Sequence, residues 1–281
     1  MKFEKKIGFM QGRLSDLILN KIQAFPKTNW ENEFSEASSI GLGLMEWTVD
    51  YEDLDQNPLM LKSGRKKIKN LCKEFKVRIP SLTADCFMQK PFWKADSKEM
   101  INLKKMFQDV LIASFELGIE IIVVPLVDNG KLENSIQEKI LLNFLEEYFL
   151  NIKNMDLKIL FESDYEPSKL KTFIEKLPED FFGINYDIGN SAALGHDPEK
   201  EFKLIGERVK NVHVKDRKFN GETIALGKGD ADFDLVFKKL KDIDFKGNFI
   251  LQTARAKDNN HKKILVEYKQ FTMGLLSSYF V

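Results

Sequence analysis

One pattern governs this chain. A short apolar, β-branched run is followed by a longer amphipathic run, and the pair repeats eight times. The short runs cover positions 6–12, 44–50, 77–84, 120–127, 158–163, 182–187, 209–214 and 247–253. Most are apolar almost without interruption, as in Ile121-Ile122-Val123-Val124-Pro125-Leu126-Val127. A strand reads that way when helices cover both faces of its sheet, as in a parallel sheet. The longer runs lie at 30–40, 64–75, 97–117, 135–155, 168–177, 198–206, 232–242 and 260–278. Their ends carry helix signals. Asn29 stands as an N-cap before Trp30-Glu31, and Asp197-Pro198 sets a capping side chain before a first-turn proline. Gly41, Gly118 and Gly206 separate helix from strand, where a left-handed residue stops a helix.

Repeated βα units with no Pro/Gly/Ser linker and no break in composition predict a single (β/α)8 TIM barrel, with residues 1–281 as one domain. The alternative is an open doubly wound sheet. Against it, Gly8-Phe9-Met10-Gln11-Gly12-Arg13 is not the G-x-G-x-x-G turn with which such sheets hold phosphates. Composition removes other classes. Lys plus Arg and Asp plus Glu each number 43 in 281 residues, so the formal net charge is zero. No global field then draws in nucleic acid or an anionic membrane. Cys72 and Cys86 have no metal-finger spacing and make no disulfide framework. No apolar run approaches the roughly 20 residues of a membrane helix. The charged opening Met1-Lys2-Phe3-Glu4-Lys5-Lys6 lacks a signal-peptide core. The expectation is a cytoplasmic protein with no nucleic-acid or membrane partner, for which a homodimer is the default assembly.

In a barrel, chemistry collects at the C-terminal ends of the strands. The fifth to eighth apolar runs end in or beside Glu162, Asp187, His213 and Gln252. Their inward parity makes them converge over the mouth. Two carboxylates, an imidazole and a carbonyl oxygen are a borderline-hard N/O set. Such a set suits one divalent ion, Mn, Mg, Co or Zn, with water or substrate completing the shell. The bland alternative is four unrelated polar strand ends. Lys215, Arg217 and Arg255 follow the seventh and eighth runs, where barrels often bind phosphate and where Arg grips oxyanions bidentately. Arg13 is a weaker member of that set. The alternative for each is ordinary solvated charge. His196, in the loop after the sixth run, is either an acid in contact with substrate or a plain loop residue.

Three motifs carry a resemblance: Tyr186-Asp187-Ile188-Gly189-Asn190, His213-Val214-Lys215-Asp216-Arg217, and Leu226-Gly227-Lys228-Gly229-Asp230-Ala231-Asp232-Phe233. In order and spacing the chain resembles the xylose isomerase-like TIM-barrel superfamily, in its sugar-phosphate isomerase/epimerase branch. The likeness runs from Ile7-Gly8-Phe9-Met10 to the last helix. It implies a divalent metal held by Glu162, Asp187, His213 and the residue on strand eight. Family epimerases have Glu at that last position, as ligand and second acid/base; here it is Gln252. A Gln carbonyl can bind a metal, but it cannot take a proton from carbon. Glu46 resembles a family position that faces the substrate, with a surface Glu as the alternative. Asp85, just after the third run, is a candidate to bind a sugar hydroxyl. Phe9, Trp47, Phe87, Phe92 and Trp93 are either core or an apolar wall against a sugar ring.

The expected function is metal-dependent isomerisation or epimerisation of a sugar or sugar phosphate through an enediolate. Glu162, Gln252 and His196 are the catalytic candidates. Glu162 is the base, and Gln252 completes the metal shell or binds a hydroxyl. One alternative is a sugar-binding barrel with single-base, dehydratase-like chemistry or with none, which Gln252 keeps open. Another is an apurinic-site endonuclease-like phosphodiesterase. That site needs many His, and this chain has three His and no net charge.

Overall fold

The computed structural model describes residues 4–18 and 21–280. The first three residues of the charged opening lie outside the described residues. Eight strands close into one parallel barrel: β1 (Ile7–Met10), β2 (Leu44–Thr48), β3 (Arg78–Thr83), β4 (Ile121–Leu126), β5 (Lys158–Ser163), β6 (Phe182–Asp187), β7 (Val209–Val214) and β8 (Phe249–Leu251). Each strand pairs with its neighbours in sequence, and β1 closes the ring on β8 through Ile7 opposite Phe249. Each lies inside one of the predicted apolar runs.

Ten α-helices occur among the described residues. Eight occupy the predicted amphipathic runs. Two short ones, Asp85–Gln89 and Ile188–Leu194, follow β3 and β6 at the mouth. The second begins because the Asp187 side chain accepts the Asn190 backbone N–H at 2.7 Å, a capping bond that supplies an otherwise orphaned donor with a partner. Asp197 likewise accepts from Glu199 N at 3.0 Å ahead of Pro198, as the sequence predicts. Asn29 does not cap the first helix. That helix spans Asn32–Ser39, its cap position is Glu31, and no side chain bonds there. Gly41 and Gly118 are left-handed, with φ of 70° and 90°. Gly206 is not: its φ is −55°, because a 3-10 turn over Gly206–Arg208 continues into β7.

Two cores hold the barrel. The larger lies between strands and helices and is rich in phenylalanine, with Phe92 stacked on Phe144 at a centroid distance of 3.9 Å. Phe9, Trp47, Phe87, Phe92 and Trp93 all belong to it, at most 1% exposed. They are core rather than a wall against a ligand. The smaller core, Ile121, Val123 and Leu160, fills the floor of the barrel on the parity that carries Glu162 above it. No helix of the described residues is long and apolar enough to cross a membrane.

A hairpin, Asp216–Arg217 with Thr223–Ile224, stands on the mouth after β7. The Asp216 carboxylate accepts the backbone N–H groups of Gly229 at 2.8 Å and Ala231 at 3.3 Å, which pins the glycine-rich turn. A Cβ on Gly229 would sit 1.9 Å from Asp216 Oδ1. Gly229→Ala must therefore expel the carboxylate from its donors. The expected cost is roughly 1–3 kcal/mol, that of leaving buried polar groups unpaired. Urea unfolding against Lys228→Ala, a change within about 0.5 kcal/mol of wild type, checks it; equal midpoints would remove the turn's special status.

Candidate active site

Successive residues of a strand point to opposite faces, so residues two apart share the barrel interior. On β7 this places Asn211, His213 and then Lys215 in one rising column. Asn185 and Asp187 do the same on β6, and Ser81, Thr83 and Asp85 on and just after β3. The lower layer centres on Glu46, which is 0% exposed. Its Oε2 accepts from Ser81 Oγ at 2.7 Å and Asn211 Nδ2 at 3.1 Å. Its Oε1 accepts from Thr83 Oγ1 at 2.5 Å and faces His213 Nε2 at 2.7 Å. Burial alone would raise the Glu46 pKa, but His213 and these donors hold it below the ordinary carboxylate value.

An ionised carboxylate only accepts, so His213 Nε2 carries a proton toward Glu46. Nδ1 then faces the mouth. It lies 2.9 Å from Glu162 Oε2 and 4.0 Å from Asp187 Oδ2. Despite that closeness, Nδ1 misses hydrogen-bond geometry and faces Glu162 as a charge contact only. Burial would lower the imidazole pKa, but the Glu46 and Glu162 carboxylates push it up to about 10. The position thus favours a positive charge.

Glu162 is set by two amides: Oε1 accepts from Asn190 Nδ2 at 2.6 Å and Oε2 from Asn185 Nδ2 at 3.0 Å. Asn211 in turn donates to Asn185 at 2.8 Å, joining this group to the Glu46 layer. Burial tends to raise the Glu162 pKa, and His213 holds it down. Burial raises that of Asp187. Asp187 Oδ1 starts the short helix after β6, and its Oδ2 accepts from Lys215 Nζ at 3.2 Å. The same Nζ donates to Gln252 Oε1 at 3.2 Å. A Cβ on Gly189 would come within 2.7 Å of Lys215 Cγ, so glycine there leaves room for the lysine. One ligand atom each from Glu162, Asp187 and His213 lies within 4.8 Å of the others.

Above them opens a cavity of about 540 Å³, lined among others by Asp85, Glu162, Asn190, Lys215, Arg217 and Gln252. Arg217 is held open over it by Asn190 Oδ1 at 2.8 Å and by the Gly221 carbonyl. The Asp85 residue is only 5% exposed, and burial pushes its carboxyl well above the usual range.

Four expected site residues lie elsewhere. Glu46 does not face the cavity: it sits one layer lower, with both oxygens taken by barrel donors. Arg255 turns away and donates to the carbonyls of Gly12 and Ser15, tying the loop after β1 to the end of β8. Arg13 is spent in that same loop, on Thr253 O at 2.9 Å and Ile22 O at 2.8 Å. His196 lies behind β6, beside a void of about 20 Å³, with Glu166 3.8 Å from its Nδ1. The asparagines 185, 190 and 211 and the pair Ser81 and Thr83 were not singled out in the sequence. The signal for all but Asn190 is the inward parity they share with Asp187, His213 and Asp85.

A closed parallel barrel with carboxylates and an imidazole gathered at the C-terminal ends of its strands is the architecture of TIM-barrel enzymes. Residues 34–270 match the family model described as xylose isomerase-like TIM barrel, and the chain belongs to that family. The SgbU protein of Escherichia coli is 23% identical over 250 residues, covering 82% of this chain and 86% of its own. L-ribulose-5-phosphate 3-epimerase UlaE, from the same species, is 21% identical over 235 residues, covering 79% and 81%. Among solved structures, the IOLI protein with a bound zinc atom shares the fold at a TM-score of 0.75 and 17% identity, over 98% of this chain and 99% of that one. D-psicose 3-epimerase does so at 0.69 and 11%, over 97% of each.

Proposed function

We propose that this protein is a cytoplasmic, divalent-metal-dependent isomerase or epimerase of a small sugar or sugar phosphate. The observation that carries the reading is His213 Nδ1. It is buried, lacks a hydrogen-bond partner, and converges with Glu162 and Asp187 on one point that favours positive charge. Two carboxylates and an imidazole locked by Glu46 fit a divalent ion, since ligating His residues characteristically pass their other N–H to a carboxylate. Glu162, Asp187 and His213 would hold it, with the Gln252 carbonyl in reach of the same cavity. A divalent ion there supplies Lewis acidity that lowers the pKa of a C–H beside a carbonyl.

The chain's own residues supply the rest. Glu162, kept ionised and aimed by Asn185 and Asn190, takes the proton from carbon. Lys215 and Arg217 bind substrate oxygens, hydroxyl or phosphate. The names of the epimerase relatives and the zinc in the IOLI structure support this assignment. Gln252 favours a second reading, in which one base suffices, as in aldose–ketose isomerisation or dehydration.

The test is to load the purified protein with Mn²⁺, remove free ion and incubate it in heavy water with a panel of ketoses and ketose phosphates, L-ribulose 5-phosphate included. A stoichiometric retained ion and exchange of one substrate C–H for deuterium are expected. Retention falls as pH is lowered, because protons compete for the same carboxylates and imidazole. A protein that keeps no ion and exchanges no substrate proton would falsify the proposal.

A further inference from the structure

Inverting a carbon through an enediolate needs a proton removed from one face and a proton delivered to the other. Glu162 can serve one face. The amide of Gln252 can serve neither, and its Oε1 is engaged by Lys215. The other acidic groups near the cavity are committed, exposed or on the same side as Glu162. Asp50 accepts from Phe25 N at 2.8 Å and Gln89 Nε2 at 2.7 Å. Asp164 Oδ2 lies 3.4 Å from Lys131 while its Oδ1 is buried without a hydrogen-bond partner, but it follows β5 beside Glu162 and so approaches from the same side; Asp128 is exposed.

Asp85 stands on a different arc of the ring from Glu162 and Asp164. It is 5% exposed and lines the cavity, yet its carboxyl makes no hydrogen bond among the described residues. Its oxygens open onto the cavity, where a ligand can meet them. It stands after β3, two strands round the ring from β5 in the direction away from β6, β7 and β8. It therefore approaches the middle of the mouth from a different bearing than Glu162.

We propose that Asp85 is the second proton-transfer group of this site, in place of the carboxylate that Gln252 lacks, and that the reaction is an epimerisation. This rests on the isomerase/epimerase reading above. In the step, the Glu162 carboxylate removes the proton from the substrate carbon, and the C–H electron pair becomes part of the enediolate. The Asp85 carboxylic acid then delivers its proton to the opposite face of the same carbon, making the new C–H bond and leaving Asp85 ionised. Glu162 ends protonated. Both groups re-equilibrate with water before the next turnover, and in the reverse reaction they exchange roles. Burial, with the nearby Asp50 and Glu162 carboxylates, favours the proton-bearing form of Asp85, in keeping with this role.

The experiment uses Asp85→Asn, which keeps the side chain's shape, on the Mn²⁺-loaded full chain with whichever ketose the wild type turns over in heavy water. Two rates are read: deuterium entry into recovered substrate and formation of the epimer. The proposal expects substrate exchange through Glu162 to persist while epimer formation falls at least about a hundredfold. It also expects Asp85→Asn combined with Gln252→Glu to regain epimer formation, because a carboxylate again serves the second face. Epimer formation by Asp85→Asn at the wild-type rate overturns the proposal. So does an equal fall of exchange and epimerisation, which marks a binding contact only. If the wild type itself exchanges a substrate proton but forms only the aldose, the isomerase reading stands and the Asp85 assignment fails. If the wild type exchanges no substrate, the isomerase reading fails first.

Discussion

Replacing Glu162 by Gln is expected to cut turnover by about a hundred- to ten-thousandfold, the range associated with a positioned general base. The substitution keeps the side chain's volume and one carbonyl oxygen, so Asn185 or Asn190 retains an acceptor. It removes the negative charge that faces His213 Nδ1 at 2.9 Å. The loss of one of the two asparagine hydrogen bonds to a charged acceptor, about 1.5–3 kcal/mol, lowers the melting midpoint by several degrees without unfolding the barrel. Deuterium exchange, measured at equal metal content, separates the base from the ligand role. If exchange survives in Glu162→Gln protein whose ion is restored by excess Mn²⁺, the base lies elsewhere.

Glu46→Ala is the larger structural lesion. Removing this carboxylate leaves Ser81, Thr83, Asn211 and His213 without their common acceptor in the barrel interior. Breaking a buried charged pair in this way typically costs about 3–5 kcal/mol. The imidazole also loses the partner that fixes which nitrogen carries its proton. Affinity for the divalent ion should fall roughly ten- to a hundredfold, the usual effect of removing a group that orients a ligand. Glu46→Gln keeps an acceptor for Nε2 and should fall between the two. Urea unfolding and competitive ion titration measure both quantities. An ion affinity unchanged in Glu46→Ala would show that His213 needs no help from below.

The barrel was legible because its evidence is local: apolar runs, amphipathic runs and capping residues recur at short range. The mouth residues Glu162, Asp187, His213, Lys215 and Gln252 were legible for the same reason, as polar groups at the inward parity of apolar runs. Height in the barrel was not. Glu46 has the right parity, but β2 runs on to Thr48, and its register sets Glu46 level with Ser81. That is two inward positions below Asp85. Height depends on the stagger between strands, which is a property of the closed ring rather than of any one segment. His196 was misplaced by the unread helix Ile188–Leu194, which carries the chain behind β6. That helix hid because Gly189 and Asn190 look like a turn until Asp187 is seen to cap them. Arg255 follows β8 as expected, but its direction is set by carbonyls at Gly12 and Ser15, more than two hundred residues earlier.

The contacts of Glu46 also bear on when the site comes into being during folding. Glu46 meets Asn211 and His213 across separations of 165 and 167 residues. It is in effect a strut across the lumen, joining the β2–β3 arc to the β6–β7 arc on the far side. Neither half of the ring can orient His213 alone, because the carboxylate belongs to one half and the imidazole to the other. Long-range contacts of this kind form only after the loop-closure entropy has been met. Tight capture of an ion thus becomes a late event that reports ring closure, and a chain stalled as a half-barrel would carry the ligands without the grip.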